Sequence, residues 1–134
     1  MSNPPTPGTY LKMRRCAAGL SVADVAAKIA TSPRLAEHVR VELIEMIEAD
    51  EAPATFSTIV VLNNVFSFDL DVLATLARIS FGADLPAPEI CRVCGCSEYD
   101  PCHLDGRFAC SWHNRDLCTR CNGLPGAVQG IIAA

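Results

Sequence analysis

The chain has 134 residues, 50% of them hydrophobic, with 15 acidic against 11 basic side chains and a formal charge of −4. That length allows one ordinary domain, or a small domain with a metal-stapled appendix, and the apolar content is enough for a core. The acidic balance argues against an indiscriminate binder of nucleic acid, whose affinity comes from lysine and arginine neutralising phosphates, so local patches must carry any DNA contact.

No apolar run approaches the roughly 20 residues of a membrane span, and the closing Ile131-Ile-Ala-Ala is too short to count. The opening Met1-Ser-Asn-Pro-Pro-Thr-Pro has neither the basic nor the apolar region of a signal peptide, so a soluble, cytoplasmic protein is expected. Residues 1–8, with three prolines and a glycine, read as a flexible N-terminal arm without a buried anchor.

From Tyr10 the pattern turns helical, with Tyr10, Leu11, Ala17, Ala18 and Leu20 facing inward and Lys12, Arg14 and Arg15 outward. Gly19 stops this helix. Ser21 is the expected N-cap of a second helix, with Asp24 completing a capping-box pair and Val22, Val25, Ala26 and Ile29 as its buried stripe. Cys16 reads as a small apolar residue of the first helix, far in sequence from the other cysteines.

The stretch Gly8-Thr-Tyr-Leu-Lys-Met-Arg-Arg-Cys-Ala-Ala-Gly-Leu-Ser-Val-Ala-Asp-Val-Ala resembles the opening of the Cro/CI-type (XRE-like) helix-turn-helix family. Members of that family run leucine, arginine, spacers, glycine-leucine-serine and a short alanine-rich helix. Ile47-Glu48-Ala49-Asp50 with Pro53, Thr58 and Ile59 is similar to the family's isoleucine-glutamate-x-glycine turn, following proline and fourth helix. Phe66-Ser-Phe-Asp-Leu-Asp-Val-Leu would be the last helix, entered through an Asp69 cap. The similarity covers about residues 8–79, and it implies a five-helix DNA-binding bundle.

The chain departs from that pattern between Ala26 and Glu48, where it carries about eight more residues. Ser32 as cap and Pro33 at the first helical position predict a third helix through about Glu48, with Leu35, Val39, Leu43 and Ile47 as its apolar stripe. A recognition helix lays its N-terminal side chains on base edges. Arg34, Glu37, His38 and Arg40 are therefore the candidates for bases or phosphates, with Lys12, Arg14, Arg15 and Lys28 for the DNA backbone. The acidic run Glu42, Glu45, Glu48, Asp50 and Glu51 supports the contrary reading of a solvated helix face.

Residues 55–65 are rich in β-branched side chains, which suit a strand, but the resemblance implies a helix. Phe56, Ile59, Val60, Val65, Phe66 and Phe68 read as core, and Leu70, Leu73, Leu76 and Ile79 as the inward face of the final helix. This α domain spans residues 9–81. Residues 82–89, with two prolines spaced by one residue, predict an extended linker.

Seven of the 8 cysteines fall between Cys91 and Cys121, and that stretch opens and closes on a C-x-x-C pair, the spacing with which two thiolates reach one tetrahedral ion. Gly95 follows the first pair and Asn122-Gly123 the second, so each can curl as a zinc knuckle and aim amides at sulfur. A disulfide framework is the alternative, but seven cysteines cannot all pair with one another and a reducing cytosol favours metal. Residues 90–123 thus form a small, irregular cysteine-rich module, ahead of a tail at 124–134.

Cys91, Cys94, Cys118 and Cys121 suit a first Zn2+ in the manner of a zinc ribbon; Cys96, Cys102, Cys110 and His113 suit a second. The latter thiols also suit an iron–sulfur cluster, although their spacing matches neither ferredoxin pattern, or redox-responsive cysteines. Trp112, with Phe108 and Tyr99, is the expected apolar packing element of the module; an exposed tryptophan would instead mark a binding surface.

An enzyme is not expected. A closed four-cysteine site has no open position to activate water, and the deaminase signature is missing, since Asp105 stands where Pro101-Cys102 would need its next cysteine. No nucleophile elbow or phosphate-binding glycine loop occurs. The leading expectation is a transcriptional regulator of bacterial or phage type that binds specific double-stranded DNA, as a homodimer, with structural zinc. The alternatives are an adaptor whose helix-turn-helix-like domain has lost DNA contact and whose cysteine module docks a protein, and an iron–sulfur or thiol redox sensor.

Overall fold

The computed structural model describes residues 3–31, 33–104, 108–114, 116–119 and 121; of His103, Leu104, Phe108, Ala109, His113 and Asn114 it describes the backbone alone. The chain divides into two units, residues 1–87 and 88–134. Five helices form the first: α1 Pro7–Ala17, α2 Val22–Lys28, α3 Glu37–Glu48, α4 Phe56–Val65 and α5 Leu70–Ser80. No helix among the described residues is long and apolar enough to cross a membrane.

Short polar side chains start most of these helices. Thr6, Ser21, Thr55 and Asp69 each accept a backbone N–H of the first turn, and Ser21 and Asp24 make a reciprocal capping box. The bonds from Ser21 also hold the exposed Asp24 carboxyl below its ordinary pKa. Left-handed residues end three of the helices. At Gly19 (φ 76°), Asp50 (φ 60°) and Gly82 (φ 99°) the chain reverses, and the next amides, those of Leu20, Glu51 and Ala83, donate back to the carbonyls of Arg15, Met46 and Arg78. Each is a Schellman closure.

Two of these elements differ from the expectation. α3 begins at Glu37 rather than at Pro33, with Ala36 as a cap that makes no side-chain bond. The preceding residues are held instead as a loop, in which the Leu35 amide donates to Thr31 Oγ1 at 2.8 Å and Arg40 takes the Leu35 carbonyl. Ser32, the expected cap, lies outside the described residues. α1 begins at Pro7, inside the stretch expected as an arm, and Gly8 is buried.

The core of this unit lies where α1 meets α3 and α5 and where α2 meets α3 and α4. Tyr10 and Val25 are wholly buried. The Tyr10 hydroxyl accepts the Asp69 amide at 2.9 Å, so α1 orients the start of α5. The rings of Phe66 and Phe68 meet at a tilt of 51° with centroids 5.5 Å apart, and Leu62, Val72, Leu73 and Leu76 are buried as well. Phe56 and Val60, expected in the core, are 82% and 42% exposed. With about 100° of turn per residue, Val60 points about 200° away from the buried Leu62 and Phe56 about 120° away. Leu70, at the first position of α5, is also exposed, as is Cys16 on α1.

Gly8 illustrates how tightly α1 meets the end of α3. Its amide donates to Asp50 Oδ1 at 2.9 Å, while the Thr6 hydroxyl donates to the other carboxylate oxygen, so Asp50 places a negative charge at the positive end of α1. A Cβ at Gly8 would stand 2.4 Å from the Ile47 carbonyl oxygen and 2.7 Å from that of Glu48. Gly8→Ala is therefore expected to cost about 1–3 kcal/mol, the range for overfilling a packed site, in urea unfolding. A variant as stable as the parent would show that α1 does not seat this closely.

The second unit carries four short strands among its described residues, paired as two antiparallel hairpins: β1 His103–Leu104 with β2 Phe108–Ala109, and β3 Trp112–Asn114 with β4 Leu117–Cys118. This is more regular than the irregular module expected. Its non-cysteine apolar core, among the described residues, is Ile90 and Leu117. Tyr99 is 85% exposed and Trp112 39%, so neither is the packing centre expected of it. Asn122-Gly123, expected to complete the second knuckle, and the tail at 124–134 lie outside the described residues.

Candidate metal centre and cationic residues

Four backbone turns deliver the cysteines. The first is a knuckle: Gly95, at φ 77°, reverses the chain after Cys94, and its amide donates to the Cys91 carbonyl at 2.9 Å. The Cys91 amide in turn takes the Cys96 carbonyl at 2.9 Å, and the Val93 amide points at Cys91 Sγ from 3.4 Å. Such an N–H beside sulfur steadies a thiolate. At the foot of the first hairpin the Cys110 amide donates to the Cys102 carbonyl at 2.7 Å, fixing these two residues side by side. The second hairpin presents Cys118 on β4, and a further turn brings Cys121 back, its amide donating to the Cys118 carbonyl at 3.1 Å. Arg92 ties the knuckle to that hairpin through its amide, which takes the Asp116 carbonyl at 2.8 Å, and through an exposed ion pair with the Asp116 carboxylate.

The result is a cluster of sulfurs placed to hold metal. Cys91, Cys94, Cys118 and Cys121, the first set expected from spacing, have all their Sγ atoms within 4.8 Å of one another. The second expected set is assembled in part. Cys96 and Cys102 close on Cys94 and Cys118, again within 4.8 Å, while Cys110 lies 3.7 Å from Cys96. The His113 side chain lies outside the described residues. No disulfide joins the described cysteines.

Around a tetrahedral ion with metal–sulfur bonds of about 2.3 Å, neighbouring sulfurs stand about 3.8 Å apart. Cys94 and Cys118 are 3.8 Å apart and Cys94 and Cys102 3.3 Å. The first separation is the edge of such a tetrahedron, and the second is closer than that edge. In an iron–sulfur cage only cysteines on different irons stand farther apart than this. Crowding also shifts the titration of the thiols through the hydrogen bonds they make with one another. Hydrogen bonds from Cys118, Cys94 and Cys96 hold the Cys91 pKa far below the usual thiol range, whereas Cys94, Cys96 and Cys118 are pushed up, chiefly by Cys102. Burial raises Cys121. For several of them to be thiolates at once in so small a space, a cation would have to neutralise them.

The expected DNA-contacting residues divide into two groups. Arg14, Arg15 and Arg40 are buried, which corrects the outward placement of the first two. Arg14 Nε reaches the Ser67 carbonyl at 3.4 Å. Arg15 grips Glu48 with two bonds of 2.6 and 2.8 Å, and its remaining nitrogen takes the Leu20 carbonyl at 2.9 Å. Arg40 Nε donates to the Ala26 carbonyl at 2.7 Å, satisfying an acceptor that the end of α2 leaves open. As placed, these guanidinium groups hold helices together and are not presented to a duplex. Helical period carried the signal: Arg40 lies on one row with Ile44 and Ile47, and Arg14 and Arg15 lie three and four residues beyond Leu11. Lys12, Lys28, Arg34, Glu37 and His38 are exposed.

The chain matches no protein-family model, no curated protein and no solved structure.

Proposed function

We propose that the protein is a transcriptional regulator that reads specific DNA through a Cro/CI-like helical unit, with zinc as the structural staple of its cysteine unit. The observation that carries the DNA reading is the α2–α3 pair. Arg40 pins α3 to the end of α2 and to the connecting loop, and the exposed Lys28, Arg34 and His38 bracket that connection. A helix pair with the Lys28 and Arg34 cations at its joint suits phosphate and base contact, and the first turn of α3 adds the positive end of a helix. For the metal, an all-cysteine donor set at tetrahedral spacing favours zinc among divalent ions.

The test is fluorescence anisotropy of the zinc-loaded chain with the DNA upstream of its own coding sequence, over a salt series and against scrambled competitor. Tight, competitor-resistant binding is expected. Arg34→Ala should weaken it by about 1–3 kcal/mol if the contact is to a base, and Lys28→Ala should lower the salt slope by about 1. Equal affinity for both variants and the parent would remove these residues from the interface.

A second reading, a protein-docking adaptor, draws on two observations. The exposed surface of α3 carries Glu37, Glu42 and Glu45 beside Met46, and the cysteine unit exposes Trp112, Tyr99 and Val93. Binding no tighter than to scrambled DNA, across many genomic fragments, would favour it.

A further inference from the structure

Two four-sulfur groups occur in the cysteine unit, and they are not separate. Cys94 and Cys118 belong to both. We propose that six cysteines hold two divalent metal ions in one cluster, with the Cys94 and Cys118 thiolates bridging them. Cys91 and Cys121 complete the tetrahedron of the first ion; Cys96 and Cys102 complete that of the second. This rests on the metal-binding reading above and goes beyond it by stating how the ions are joined.

Three observations support the sharing. The first is donor number. Two independent all-thiolate tetrahedra need eight sulfurs, whereas the chain has 8 cysteines, one of which is Cys16 in the helical unit. Six sulfurs supply eight metal–sulfur bonds when two of them bridge, so both ions are filled without Cys110 or His113. The second is the shared edge. Two tetrahedra joined along an edge must agree on one sulfur–sulfur distance, and the Cys94–Cys118 separation of 3.8 Å is the edge that a bond of about 2.3 Å requires. The third is position. Cys94 at the knuckle and Cys118 on β4 lie among the buried sulfurs, with Cys91, Cys96 and Cys102 buried around them and Cys121, a terminal ligand of the first ion, half-buried at the edge.

The chemistry balances without an oxidant. Six thiols give up six protons as two dications bind, and each bridging sulfur uses two lone pairs, one for each ion. Negative charge on the bridging sulfurs screens the repulsion between the neighbouring cations. Cys110 remains a neighbouring thiol outside both coordination shells.

Cadmium-113 provides the test, because spin coupling between two cadmium ions passes through a shared sulfur. The full chain loaded with cadmium-113 is expected to hold two ions and to give two resonances, each split by the other. Cys94→Ser should disturb both resonances, and Cys110→Ser should leave the split pair intact. Two unsplit resonances, or one resonance at one ion per chain, would overturn the sharing while keeping the metal site. Failure to take up any metal would overturn the metal reading as well. The spectrum of the unaltered chain decides the question even if the serine variants do not fold.

Discussion

Chelation is expected to unfold residues 88–121 while leaving the five helices folded. The cysteine unit cannot sustain itself by hydrophobic burial: among its described residues Ile90 and Leu117 are the buried aliphatic side chains, and its hairpins have two- and three-residue strands. Short hairpins of this kind are marginal in water without a packed face. Metal binding would have to supply the difference, on the order of 10–16 kcal/mol if the site is a structural zinc site. The helical unit contains its own core around Tyr10, Val25 and Leu76 and forms a separate compact body. Amide NMR spectra before and after metal removal, with the removal confirmed by elemental analysis, separate the two. Signals from the knuckle and hairpins should collapse to unfolded positions, and those of α1 to α5 should stay. An unchanged spectrum of the metal-free chain would sink the structural role of metal.

Breaking the Arg15–Glu48 pair is expected to be the most damaging single change in the helical unit. Both side chains are under 10% exposed, at 9% and 8%, and the bond is bidentate. Arg15→Met leaves the Glu48 carboxylate buried without its cation, and Glu48→Leu strands the guanidinium in the same place. Either should cost about 3–5 kcal/mol, a large part of the 5–15 kcal/mol by which a domain of this kind is held. The double variant Arg15→Met/Glu48→Leu removes both charges and should recover most of the loss. Urea unfolding followed by circular dichroism measures all four corners of this cycle. If the two single losses simply add in the double variant, the ion pair does not couple α1 to α3 and the energy lies elsewhere in the packing.

That pair bears on the DNA reading. Arg15 joins α1, the Gly-Leu-Ser turn and the end of α3 through Glu48 and the Leu20 carbonyl, and Arg40 joins α2 to α3. Arg40 ties α2 to α3 and Arg15 ties α1 to the end of α3, so their variants should change stability first and any DNA affinity only through it. Arg34 and Lys28, being exposed, should do the reverse.

Much of the chain's punctuation was legible in the residues alone. Gly19 after α1, the Ser21–Asp24 box, the Asp69 cap and the break after residue 81 act within a few residues of where they stand, through backbone conformation and local hydrogen bonds. The two C-x-x-C pairs likewise announce one four-cysteine centre, because the spacing itself brings two sulfurs to one ion. Other features were decided only by tertiary structure. An arginine has an apolar stem and a charged head, so it can lie inward or outward, and it turned inward at positions 14, 15 and 40 because carbonyls and a glutamate from other segments met it there. The start of α3 moved to Glu37 for the same reason, since Arg40 holds the preceding loop away from helical geometry. The sharing of Cys94 and Cys118 between two groups has no signature in spacing at all. It depends on how closely two hairpins and a knuckle bring their sulfurs together, and that is a property of the folded chain.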